Sequence, residues 1–344
     1  MASSSVEFEP PNRKFKLIPT FSGGLEVVLL IGASTGAAIA AQSMFTPSLG
    51  EALGLAGGEQ NLLGGAWTLL RIFAIQYGVL IGLAALFGIL RGRRSLKSHA
   101  LGKGKLSTSG IFKWGIALGL IAGAPATLVL FLQDVAPIGQ DTPIWAALRE
   151  APWDLRFWTF LFVGSFGLVP LLEEFTWRGY ALGRMTEVVA PGAAILFTAV
   201  PFALLHVQYA SADPAMVATS ISVMFVSLAL AFATLRTGTI WPAVIAHAIT
   251  NFPADSWLGA IQLGLAVLVL IVFIRPITAE VSKWLALFFR WTTLQAIVAL
   301  APVLALVAVA MTFQTYALWI GLAAFVLSLG LGLAYRSTWR HKDA

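Results

Sequence analysis

The chain has 344 residues, of which 58% are hydrophobic and only 11% charged, and its mean hydropathy is +0.84. About 200 apolar positions suffice for roughly ten membrane spans of about 20 residues, whereas a soluble domain carries about 25% charged residues. An ordinary soluble domain, a disordered chain and a fibrous protein are therefore excluded, and long apolar runs exclude the short alternating strands of an outer-membrane barrel. Without cysteine there is no disulfide, thiolate nucleophile or Cys-ligated metal.

The expected class is all-α, a polytopic transmembrane helical bundle of about ten spans. In chain order the apolar runs predict spans at 25–44, 72–90, 114–132, 157–172 and onward, 193–206, 215–235, 239–252, 258–274, 293–311 and 316–335. The first follows Arg13, Lys14 and Lys16; it is too long for a removed signal peptide, lacks a clear small-residue cleavage site, and reads as a retained anchor. Loop charges alternate. One side carries Arg13 to Lys16, the run Arg91 to Lys105, then Arg184, Arg236, Arg275, Lys283 and Arg336. The other holds mainly acids, among them Glu51, Asp134, Glu150 and Asp213. By the positive-inside rule both termini are cytoplasmic, in an integral multi-pass protein of the plasma membrane if the source is bacterial. The net charge of +6 then records topology, so membrane lipids are expected partners and nucleic acid is not.

Charge inside a bilayer costs about 2.5 kcal/mol upward, so intramembrane ionisable residues are functional candidates. Glu26, Arg71, Lys113 and Arg290 fall near span ends, where snorkelling accounts for them. Of the four histidines, His99 and His341 lie in basic segments. What remains is Leu172-Glu173-Glu174-Phe175-Thr176-Trp177-Arg178-Gly179, the histidine of Phe202-Ala203-Leu204-Leu205-His206, and His247-Ala248-Ile249-Thr250-Asn251. Each has a plain structural reading taken singly, as a helix end or as interhelical hydrogen-bonding.

Spacing links them. Residues 173–189 continue the fourth helix to a turn at Ala190-Pro191-Gly192, and Glu173 and His206 lie nearly equal distances either side of it. In two antiparallel helices both would sit at the same depth, roughly 20 to 25 Å from the turn. Glu174 and Arg178, four apart, pair on one face while Glu173 points elsewhere. Phe202 lies one turn before His206, and His247 and Asn251 are likewise one turn apart. A carboxylate, two imidazoles and a carboxamide in a secluded pocket suit amide hydrolysis by an activated water, with a general base and donors for the oxyanion.

The order Glu-Glu-x-x-x-Arg-Gly, Phe-x-x-x-His, His-x-x-x-Asn, each in an apolar helix, resembles the CPBP family of intramembrane glutamic proteases, which includes the type II CAAX prenyl endopeptidases. The resemblance implies that Glu173 activates the water, His206 orients it or carries its proton, and His247 and Asn251 stabilise the oxyanion. Glu174 and Arg178 form a supporting pair, and Phe202 is structural. It implies no cofactor or metal, and a membrane-associated peptide or protein as substrate. The organisation expected is an N-terminal region of three spans (1–156), a catalytic core (157–275) and a two-span extension (276–344).

Other intramembrane protease classes fit poorly. His-Glu-x-x-His and Gly-x-Gly-Asp are absent, and Gly164-Ser165-Phe166-Gly167 has its serine one place early for a rhomboid-like motif. Two alternatives stay open: a zinc-dependent hydrolase using the same Glu/His cluster, and a noncatalytic transporter or scaffold.

Overall fold

The computed structural model describes residues 17–45, 62–90, 102, 104–135, 153, 155–206, 214–252 and 256–288. All of its regular structure there is helical. Helices α1 (Leu17–Phe45), α2 (Leu62–Leu90) and α3 (Thr108–Val135) come first. A composite helix follows: α4 (Leu155–Trp158), a π-helical segment π1 (Thr159–Leu168), α5 (Val169–Glu174), a second π segment π2 (Phe175–Ala181) and α6 (Leu182–Thr186). Then come α7 (Pro191–Leu204), α8 (Pro214–Thr237), α9 (Trp241–Thr250) and α10 (Ser256–Phe288).

Among the described residues five helical stretches are long and apolar enough to cross a membrane: Ser22–Ala41, Leu70–Leu90, Thr108–Val129, Thr219–Thr237 and Leu258–Ala286. Pro191–Ala203 and Trp241–Thr250 are apolar but shorter. The predicted spans at 293–311 and 316–335 lie outside the described residues, as do His99, Arg290 and His341. The stretch 239–252, predicted as a span, forms a helix of only 10 residues, about 15 Å long, half of a hydrocarbon core. It stops one turn after His247, shortly before Pro253, whose ring disfavours helix in the residue ahead of it.

From Glu174 to Met185 the composite helix is almost wholly buried, between two apolar clusters. On one side Val27, Val28 and Ile31 of α1 join Trp177, Leu182, Met185, Phe197, Phe202 and Phe232 in a buried cluster. On another, Leu29, Leu30 and Ala33 of α1 pack with Tyr77, Leu80, Leu83 and Phe87 of α2 and with Tyr180. The spacing of α1 explains how one helix serves two clusters, since its apolar residues run round most of its circumference.

Close approach of α3 to α9 rests on missing side chains. A Cβ at Gly115 would stand 2.6 Å from Ile245 Cβ, one at Gly119 2.8 Å from Ile249 Cβ, and one at Gly123 3.0 Å from Thr250 Cγ2. Glycine at every fourth position therefore lets α9 lie against the α3 backbone, the small-residue packing that membranes favour. The two helices run parallel from the same end. There Lys105 N donates to Thr237 O at 2.9 Å and Thr239 Oγ1 to Gly102 O at 2.6 Å. Gly104 (φ +60°) and Gly238 (φ +72°) supply the left-handed backbone this junction needs, and a Cβ on Gly104 would fall 2.3 Å from Thr237 O.

One sequence expectation is overturned in this frame. Glu26 does not snorkel: it is fully buried, accepts hydrogen bonds from Tyr180 Oη at Oε1 and from Arg184 Nε at Oε2 (3.1 Å), and ties α1 to the composite helix. Arg184 also reaches Glu187 Oε2 at 2.9 Å. Position near a span end says nothing about which way a side chain faces, and this one faces a cation on the neighbouring helix.

Candidate active site

The two adjacent glutamates sit at the end of α5, between the π segments. In a π segment each backbone N–H reaches one residue farther back than in an α-helix; Val169 N bonds Gly164 O, and Leu182 N bonds Trp177 O. Such insertions re-aim side chains and are frequent at functional sites. Adjacent positions on a helix diverge by about 100°, so apart from His247, which lies between them, the two carboxyls meet different neighbours.

Glu174 faces inward and is fully buried. Its Oε1 accepts from Arg178 Nη1 at 2.9 Å and from His247 Nδ1 at 2.8 Å. Arg178 is almost completely buried too; its Nη2 donates to Ser227 Oγ at 2.8 Å and Ser227 O at 3.3 Å, and its guanidinium lies 4.4 Å above the Phe202 ring. Two carboxylate contacts, a serine and an aromatic face thus replace part of the water that the charges lose, while Glu174 Oε2 and Arg178 Nε are buried without a protein hydrogen-bond partner.

Glu173 faces the other way. Its Oε1 accepts a hydrogen bond from Tyr77 Oη of α2. Its Oε2 is buried, has no protein hydrogen-bond partner, and lies 3.7 Å from His247 Nε2. The imidazole of His247 is consequently held between two carboxylates, Glu174 at Nδ1 and Glu173 opposite Nε2. Fixing one ring nitrogen with a carboxylate sets which way the other points.

Phe202 is the hub of the aromatic contacts. Its ring centroid is 4.6 Å from that of His206, 6.0 Å from His247 and 5.8 Å from Trp177, the last two edge-on. His206 Nδ1–H donates to Phe202 O at 2.7 Å, which fixes the ring against its own helix end. Asn251 follows the last residue of α9, and its backbone N–H closes on His247 O at 2.9 Å.

The structure thus joins Glu173, Glu174, Arg178 and His247 directly through polar contacts, and Phe202 and His206 through the shared ring. The expected Glu174–Arg178 pair is present, as is the Phe202 support of His206. The imidazole beside Glu173 in these contacts is His247. Two residues that sequence reasoning passed over belong to the cluster: Tyr77, in a helix far upstream, and Ser227 in α8. Among the described residues no three His, Cys, Asp or Glu side chains are arranged to hold a metal ion together.

Residues 155–253 match the family model for Rce1-like proteins, described as type II CAAX prenyl endopeptidase Rce1-like. Over this segment the chain is similar to that family. Neither the curated proteins nor the solved structures provide a match to the chain. The matched segment contains every member of the cluster except Tyr77, and it ends just beyond α9, before α10 begins. The family is one of membrane proteases, in keeping with the apolar helices around the segment.

Proposed function

We propose that the protein is a membrane endopeptidase that hydrolyses a peptide bond in a membrane-associated peptide with a water activated by Glu173. The observation that carries this reading is the asymmetry of that carboxyl group: one oxygen is held by Tyr77, and the other is buried, without a protein partner, and turned toward His247. A buried acceptor of this kind is unfavourable as structure and suited to taking a proton.

In the proposed reaction the water gives one proton to Glu173 Oε2 as its oxygen bonds to the substrate carbonyl carbon. The carbonyl becomes an oxyanion. With both ring nitrogens protonated, His247 is held by Glu174 at Nδ1 and offers Nε2–H to that oxyanion, alongside the Asn251 carboxamide. The Glu173 proton then passes to the amide nitrogen, the C–N bond breaks, and the products are a carboxylic acid and an amine. His206 orients the water or carries protons through Nε2. Two carboxylates, a guanidinium and an imidazolium leave the cluster without net charge, which an apolar interior requires.

Quantitative membrane proteomics on cells carrying wild type or Glu173→Gln tests this. Uncut membrane peptides should accumulate with the variant, and purified wild-type protein should cleave them. Identical peptide profiles with unchanged turnover would overturn the proposal. A farnesylated C-terminal peptide as a second probe decides whether prenylation is required.

A further inference from the structure

We infer that Tyr77 is a positioning residue for the catalytic carboxylate, so that the active site is completed by a helix outside the matched segment. The inference rests on the protease reading for its functional meaning, and on geometry for its physical content.

The terminal torsion of a glutamate is broad and nearly two-fold, so a carboxylate held by packing alone exchanges its two oxygens freely. In this site the oxygens are not equivalent. Tyr77 Oη donates to Oε1, and Oε2 is the atom that stands 3.7 Å from His247 Nε2. A single donor on one oxygen fixes the plane of the group and commits the other oxygen to the imidazole. Glu174 cannot supply that donor, being itself an acceptor, and Arg178 turns Nη1 to Glu174 and Nη2 to Ser227 while its Nε, buried without a partner, does not bond Glu173. The phenol is therefore the group that defines which oxygen works as base.

Tyr77 is itself well fixed. It is 6% exposed, packed among Leu29, Leu30, Leu80 and Phe87, and edge-on to Phe73 with centroids 6.2 Å apart. With two torsions and a rigid ring it loses little freedom in holding its hydroxyl in place. The domain match begins at residue 155, so this donor enters from α2, 96 positions before Glu173.

Three forms of the full-length protein in detergent test the inference: wild type, Tyr77→Phe, and protein with 3-fluorotyrosine placed at position 77. Turnover is read on the peptides that accumulate uncut with Glu173→Gln. Tyr77→Phe keeps the ring and removes the donor; kcat should fall about 10- to 100-fold, the cost of a loosened reacting group, with KM unchanged within about twofold. The fluorinated ring keeps shape and donor but strengthens the hydrogen bond, which packing alone does not feel. The infrared carboxylate band that Glu173→Gln removes should shift in both modified proteins. Wild-type kcat in Tyr77→Phe, or an unmoved band, would overturn the inference while leaving the protease reading intact. If no peptide accumulates with Glu173→Gln, the protease reading falls, and the infrared band still decides whether Tyr77 holds the carboxylate.

Discussion

The composite helix carries two buried charge clusters, and they are built to opposite rules. At Glu26, Tyr180 and Arg184 both carboxylate oxygens have a donor, so the cluster is closed. At Glu173, Glu174 and Arg178 the Oε2 atoms of both glutamates have no protein hydrogen-bond partner. A closed cluster contributes position, because each oxygen of its carboxylate is already held by a donor. An open one is costly to fold and keeps acceptors available for chemistry. The first joins α1 to the composite helix; the second meets α2, α8 and α9.

The widest separation between the two should come from charge-neutralising variants. Glu173→Gln should lower cleavage by about 10²- to 10⁴-fold, the usual contribution of a general base, with the thermal midpoint in detergent little changed. Arg184→Met should do the reverse: it strands Glu26 as a buried charge, costing about 3–5 kcal/mol of stability in denaturation, with kcat per folded molecule preserved. Adding Glu26→Leu to that variant should restore most of the loss, since an apolar pair of similar volume replaces an ion pair without great penalty. Loss of kcat in folded Arg184→Met would show the clusters to be coupled.

Smaller effects test what surrounds the open cluster. Gly119→Ala pushes a Cβ against Ile249 and Ala246; about 1–3 kcal/mol of destabilisation should accompany reduced kcat, because the same helix carries His247. Ser227→Ala removes one acceptor from Arg178 and should cost about 1–2 kcal/mol in the same denaturation measurement. The least change is expected from a strong chelator, in which turnover should be retained; its loss would favour a metal-dependent reaction.

What was legible in the sequence follows from how local each interaction is. Glu174 and Arg178 are one helical turn apart, as are Phe202 and His206, so spacing alone indicated both contacts. Polar groups in so apolar a chain stood out, which brought His247 and Asn251 into view. Tyr77 and Ser227 did not stand out. A phenol or a hydroxyl in an apolar helix is ordinary, and their partners lie 96 and 49 positions away. Glu26 was misread because hydropathy places a residue in depth and gives no azimuth. The π segments left no trace in periodicity, and the half-length of α9 was concealed by apolar residues that continue past its end. What the glycines at 115, 119 and 123 admit is shown only by the geometry.

Those three glycines also make the seat of α9 discrete. Their notches recur every four residues, about 6 Å along the α3 axis. Between notches, the side chains of Ile245 and Ile249 would meet Cβ atoms in place of hydrogens, so α9 is seated like a key against a toothed bar, with no smooth slide available. The depth of His247 in the bundle is thereby indexed to the α3 backbone.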